Sequence, residues 1–204
     1  MKISTDLAQV KISLKECSIP VWRRVIVPTS FTLYDLHLVI QAVMGWTDSH
    51  LHGFFLGATL YVDKQAEWED DVEDEYEDER SIVIRTLLTK LPKQITYTYD
   101  FGDDWDHEIK FERCVDLKAG VMYPICVGGS GACPLEDVGG VGGYDDFLEA
   151  VKHPNSKKNH ELLAWYGYGD EHEGIFDPVA FDIDGANDEL RESFEKNKTE
   201  TALQ

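Results

Sequence analysis

Residues 97–111, YTYDFGDDWDHEIKF, decide the fold of this chain. The run is two stretches of alternating apolar and polar residues joined at Gly102-Asp103, the pattern of two antiparallel strands and a tight turn. A period of two puts Tyr97, Tyr99 and Phe101 on one face of the first strand. It puts Trp105, His107, Ile109 and Phe111 on one face of the second. A histidine thus stands in an aromatic row that the pattern buries, beside a bend carrying Asp100, Asp103, Asp104 and Asp106. His107 is either a core imidazole held by a carboxylate or a member of a site.

Working outward, Val10, Ile12 and Leu14 alternate, Ser18-Ile19-Pro20 punctuates, and residues 21–27 resume an extended run, which predicts a first hairpin. Trp22, Arg24 and Ile26 share one face of its second strand, and Arg23 shares the other with Val21, Val25 and Val27. One arginine must therefore sit among apolar neighbours, and an aspartate of the later turn is its expected partner. Thr32 followed by Asp35 resembles a capping box, Leu33, Leu36, Ile40, Val43 and Met44 recur at helical spacing, and Gly45 is a stop. A helix over 33–44 follows, with His37 on or beside its apolar stripe. Residues 50–56 read as a strand with bulk on both faces, as a central strand has.

Residues 82–84 read as a short strand, 86–91 as a helical turn and 94–114 as the long hairpin. Beyond it, Gly128, Gly129, Gly131, Gly139, Gly140, Gly142 and Gly143 predict an irregular connection. Helices are expected over 144–152, 157–166 and roughly 187–196. Paired strands followed by a helical tail predict an α+β fold: a mostly antiparallel sheet, the 33–44 helix packed on one face, and a helical C-terminal portion. Residues 1–196 form one domain in this reading, with an acidic loop over 63–79 and a polar tail over 197–204.

The hydrophobic fraction of 43% and aromatic content of 11% are those of a globular protein. Its apolar runs are too short to cross a bilayer and no signal pattern opens the chain, so a soluble, cytoplasmic protein without a membrane partner is expected. The formal charge of -20 repels a phosphate backbone, and no Lys/Arg cluster offsets it, so direct nucleic-acid binding is disfavoured. Ten of the thirteen residues over 67–79 are acidic; like charges so dense predict a solvated loop, despite Trp68, Val72 and Tyr76 at four-residue spacing. It lacks the spacing and glycine turn of an EF-hand. Cys17, Cys114, Cys126 and Cys133 are too few for a disulfide scaffold and are expected to stay reduced.

WRRVIVP at 22–28, TLYDLHLVIQAVMGW at 32–46, HLHGFFL at 50–56 and YDFGDDWDH at 99–107 together resemble the plasmid pRiA4b ORF-3-like family. The resemblance continues through YPICVGGSGACPLEDVGGVGGY at 123–144 and FDIDGAN at 181–187, nearly the whole chain. Leu135 stands where that family has the second proline of a CPPED segment, and 63–79 is an acidic version of a variable loop. The resemblance implies no established activity. Its members are often labelled transposon resolvase-like or passenger proteins, but strand exchange needs a Ser or Tyr nucleophile among several arginines. Here only Arg23 and Arg24 are adjacent, and the charge opposes an approach to DNA.

His50, His52 and His107 converge in these motifs, with Asp100, Asp103 and Asp137 nearby in the pattern. They point to a polar cleft in which Arg24 holds an anionic group, His52 and His107 bind a metal or donate hydrogen bonds, and Asp103 orients an imidazole. Trp105 and the other aromatics either line that cleft or fill the core. A zinc-like transition metal would draw on His52, His107, Cys126 and Cys133, although CxxxxxxC is looser than a zinc knuckle. Equally, His52 and His107 can pair with Asp100 or Asp103 and pin the strands, with no ligand at all. Cys126 or Cys133 would become a nucleophile only with a histidine such as His107 close by. Gly128-Gly129-Ser130-Gly131 lacks the Lys and Ser/Thr of a phosphate-binding loop. Three functions follow from these residues: a binding module for a small ligand or protein partner, a metal-dependent hydrolase using the same cleft, or an adaptor acting through the acidic surface.

Overall fold

The computed structural model of the chain describes residues 6–66, 76–90, 94–168 and 176–201. Among them, eight strands form one sheet: β1 (Leu7–Leu14), β2 (Trp22–Pro28), β3 (His52–Leu56), β4 (Thr59–Val62), β5 (Glu77–Asp78), β6 (Gln94–Tyr99), β7 (Trp105–Val115) and β8 (Ile125–Ser130). Their order is β5-β4-β3-β6-β7-β1-β2-β8, and every neighbouring pair is antiparallel except β4 with β5. The α-helices are α1 (Leu33–Met44), α2 (Ile84–Lys90), α3 (Gly140–Lys152), α4 (Lys157–Trp165) and α5 (Ile183–Thr201). The architecture is α+β with a mostly antiparallel sheet. No helix among the described residues is long and apolar enough to cross a membrane.

In the β6–β7 hairpin Tyr97 pairs with His107 and Tyr99 with Trp105, and all four side chains are buried. Their common face follows from the period of two. Asp100 makes the turn, entering the left-handed region at φ 55° while its carboxylate accepts from the amides of Gly102 and Asp103. Phe101 belongs to that turn rather than to the buried row. On α1, Thr32 and Asp35 close a full capping box, and Gly45 at φ 87° ends the helix.

Four expectations change. The glycine-rich connection contains strand β8, where Gly128 and Gly129 pair with Arg24 and Arg23. A Cβ on Gly129 would come within 2.4 Å of the Phe181 ring, so the glycine there permits a close approach. Arg23, only 2% exposed, finds no aspartate: its guanidinium donates to the carbonyls of Val43, Trp22 and Ser130 and lies 3.9 Å over the Phe181 ring. Carbonyl dipoles and a ring face replace the expected anion. Residues 67–75 of the acidic segment, including Trp68 and Val72, lie outside the described residues. Its end is not a loop, since Glu77–Asp78 is a strand beside β4, and Glu79 is fully buried although Glu77 is exposed. Finally, α5 begins at Ile183 and runs through Thr201, past the expected start of the tail, of which 202–204 lie outside the described residues.

Candidate functional site

Two residues one turn apart on α1, His37 and Gln41, reach the same strand residue. His37 Nδ1 lies 2.9 Å from the Tyr97 hydroxyl, and Gln41 Nε2 donates to that hydroxyl at 3.1 Å. Gln41 Oε1 in turn accepts from the amide of Asp48 at 3.1 Å. That bond fixes the loop after α1 with Asp48 at φ 56°, and its carboxylate returns to within 3.0 Å of His37 Nε2. By strict hydrogen-bond geometry His37 Nε2, although buried, has no partner, even with that carboxylate 3.0 Å away. A buried polar atom left unpaired costs about 1–3 kcal/mol, so this one calls for a reason.

His52, at the start of β3, stacks flat on His37 with ring centroids 3.5 Å apart and planes 3° from parallel. Its Nε2 lies 3.0 and 3.2 Å from the two carboxylate oxygens of buried Glu79. Glu79 is turned inward by a 3-10 turn over Glu79–Ser81, while its neighbour Arg80 turns outward to pair with Asp63 and cover the Tyr34 ring. Burial, with the His52 ring beside it, holds the His37 imidazole below its ordinary value; the nearby Asp48 carboxylate acts against this.

A second set stands beside the first. His50 Nε2 lies 3.2 Å from Asp137 Oδ1 and 3.8 Å from Glu136 Oε2, and His50 Nδ1 lies 3.7 Å from Asp100 Oδ2. Glu136 also accepts from the Thr47 amide and from the Tyr99 hydroxyl, tying the 134–138 segment to β6. Asp100 and Asp137, like Asp48, sit at φ 55–56°. Such angles cluster where a structure holds side chains in fixed directions. A cleft of about 350 Å³ opens on His37, Asp48, His50, His52 and Asp63.

The sequence-based candidates divide between this cleft and other places. His52, Asp100 and Asp137 belong to the two sets. Arg24 does not: it lies on the opposite face of the sheet, held by both Glu112 oxygens at 2.8 and 2.9 Å and stacked near Trp22. Glu112 thus occupies the guanidinium that was expected to hold an anion, and the Arg24 bonds pull the Glu112 carboxyl down to about 2. Asp103 accepts from the amide of Gly139 and so ties the hairpin turn to the start of α3. Trp105 and His107 are core residues: His107 is fully buried, its Nδ1 3.3 Å from the Tyr97 carbonyl and its ring edge-on to Trp46 at 5.2 Å.

The histidine-bearing ligand sets among the described residues are His37–Asp48–His52 and His50–Asp100–Asp137, and neither includes His107 or a cysteine. Cys126 and Cys133 keep company with Arg23 instead, and burial pushes both thiols up, away from the thiolate a nucleophile or ligand needs. Sequence reasoning missed His37, Asp48 and Glu79. A histidine on an apolar helix stripe was a legible signal for the first. Glu79 had none, being one of ten carboxylates in thirteen residues.

Comparison with known proteins bears on the whole chain. Residues 6–185 match the family described as plasmid pRiA4b ORF-3-like protein, and the chain belongs to that family. It is 37% identical over 165 residues to the uncharacterized protein y4hQ of Sinorhizobium fredii (strain NBRC 101917 / NGR234), covering 81% of this chain and 83% of that protein. The crystal structure of the protein of unknown function MM3350 from Methanosarcina mazei Go1 is similar at a TM-score of 0.75 and 34% identity, over 88% of this chain and 95% of that one. Neither relative's name states an activity.

Proposed function

We propose that this member of the plasmid pRiA4b ORF-3-like family is a binding module whose cleft takes a cation. The observation that carries the proposal is the charge of the cleft wall. Asp48 lines it, Asp63 lines it in a pair with Arg80, Glu79 lies behind His52, and no lysine or arginine is among its described lining residues. Asp100, Glu136 and Asp137 add three carboxylates around the adjoining His50. A concave wall in which carboxylates outnumber the neighbouring cation, Arg80, focuses the field of a chain that already carries -20, and raises the local concentration of counter-ions. In this reading α1 lies on the face of the sheet and floors the cleft, as the bonds of His37 and Gln41 to Tyr97 support.

Titration calorimetry of the full chain with zinc chloride, calcium chloride, putrescine and inorganic phosphate tests the proposal. At least one cation should saturate, more weakly as salt rises and more weakly in Asp48→Asn. Saturation by phosphate alone, or by no cation, overturns it.

A further inference from the structure

We infer that the cation is a divalent transition-metal ion held by His37, Asp48 and His52; this rests on the cation-binding reading of the cleft. His37 is fully buried, yet its Nε2 makes no hydrogen bond and its side chain borders the cleft. In the tautomer whose Nδ1–H donates to the Tyr97 hydroxyl, Nε2 carries a lone pair beside Asp48. Asp48 Oδ1 stands 3.0 Å from that nitrogen without meeting hydrogen-bond geometry. That separation is the spacing of two donors that share an ion: bonds of about 2.0–2.2 Å place neighbouring ligands roughly 3–3.5 Å apart. One donor atom from each of His37, Asp48 and His52 lies within 4.8 Å of the others.

His52 completes the set through its remaining nitrogen. Glu79 engages Nε2 with both oxygens, so Nδ1 is the atom left to coordinate. A buried carboxylate behind a ligand imidazole fixes its tautomer and raises its basicity, which makes Glu79 a positioning residue rather than a ligand. Two imidazoles and one carboxylate suit zinc and its neighbours better than calcium or magnesium, which prefer oxygen. Parallel rings 3.5 Å apart cannot both contain one ion in their planes. Binding therefore splays the stack by rotating a ring, and a fourth position faces the cleft for water or a further ligand.

Zinc competition against a chromophoric chelator, using metal-free full chain, tests the inference, and cobalt absorption reports the ligand field. The expected result is one zinc ion per chain, weakened at least tenfold in His37→Phe and Asp48→Asn, weakened about 10–100-fold in Glu79→Gln, and unchanged in His153→Ala at the exposed end of α3. Should His37→Phe fail to fold by circular dichroism, Asp48→Asn carries the test, since that carboxylate is 45% exposed on a loop. Zinc affinity undiminished in the folded variants overturns the inference. So does folded wild type that takes putrescine but no zinc, which would leave the cation-binding cleft standing; binding of no cation at all would remove both.

Discussion

Lowering the pH from 7 to 4 should weaken this protein through His107 by an amount that can be isolated with one substitution. The His107 imidazole is fully buried, and burial lowers it from 6.5 to about 4. In the unfolded chain it takes up a proton below about 6.5, whereas the folded chain refuses that proton until about 4. Its contribution to stability is therefore complete above 6.5 and is lost as the pH falls through that window. At about 1.4 kcal/mol per pH unit, the loss is on the order of 3 kcal/mol. That is a large part of the stability of an ordinary domain.

His107→Leu keeps roughly the same volume, removes the titration and removes a ring nitrogen, Nε2, that is buried without a partner. It gives up the long 3.3 Å contact of Nδ1 with the Tyr97 carbonyl, an interaction with the Trp105 backbone and the ring contacts with Trp46 and Tyr97, which leucine replaces with aliphatic packing. At pH 7.5 the variant should lie within about 1 kcal/mol of wild type. The assay is urea unfolding followed by tryptophan fluorescence at pH 4 to 8 for both proteins. Every other ionisable group is common to both proteins, so the difference between the curves reports His107. Parallel curves would refute the reasoning, and so would a metal-dependent stability at neutral pH that His107→Leu abolishes.

Glu112, which the Arg24 bonds hold at about 2 against an ordinary 4.5, contributes stability that is complete above 4.5 and is lost as the pH falls through 2. Glu112→Gln should flatten that part of an acid-unfolding curve, and an unchanged acid limb would contradict it. Two neighbouring glycines of α3 should respond oppositely to alanine. A Cβ at Gly143 would stand 1.8 Å from the Val138 carbonyl oxygen, so Gly143→Ala should cost at least about 1–3 kcal/mol in urea unfolding. A Cβ at Gly142 meets nothing within 4 Å, so Gly142→Ala should add about 0.5–1 kcal/mol, as alanine does inside a helix. Equal effects at the two positions would show that the backbone relaxes around Val138.

Legibility followed the range of the interaction. The β6–β7 hairpin and the α1 cap were readable because each rests on residues within a few positions: a period of two around Asp100, and Thr32 with Asp35. His107 was readable as a buried ring but not as core or ligand, because its face says nothing about what approaches that face. Only the packed structure supplies the Trp46 ring there. Period two put Arg23 on a face with Val21, Val25 and Val27 but left open whether it or Arg24 is the buried arginine. The charged partner expected for the buried one is replaced by carbonyls from α1 and β8, which carry no sequence signature. Strand β8 was hidden by glycines that weaken strand propensity, of which Gly129 stands where the Phe181 ring comes close.

The sequence by itself determined β1, β2, β3 and the β6–β7 hairpin, the cap and stop of α1, the acidity of the chain and the family to which it belongs. Tertiary structure alone decided which carboxylate meets which imidazole. His37 comes from a helix, Asp48 from the loop after it, His52 from β3 and Glu79 from the end of an acidic run, and packing brings them together. Local periodicity can say that a side chain is buried, but not which distant segment closes over it. In a chain with 39 acidic residues, charge could not single out Glu79 as a carboxylate turned inward.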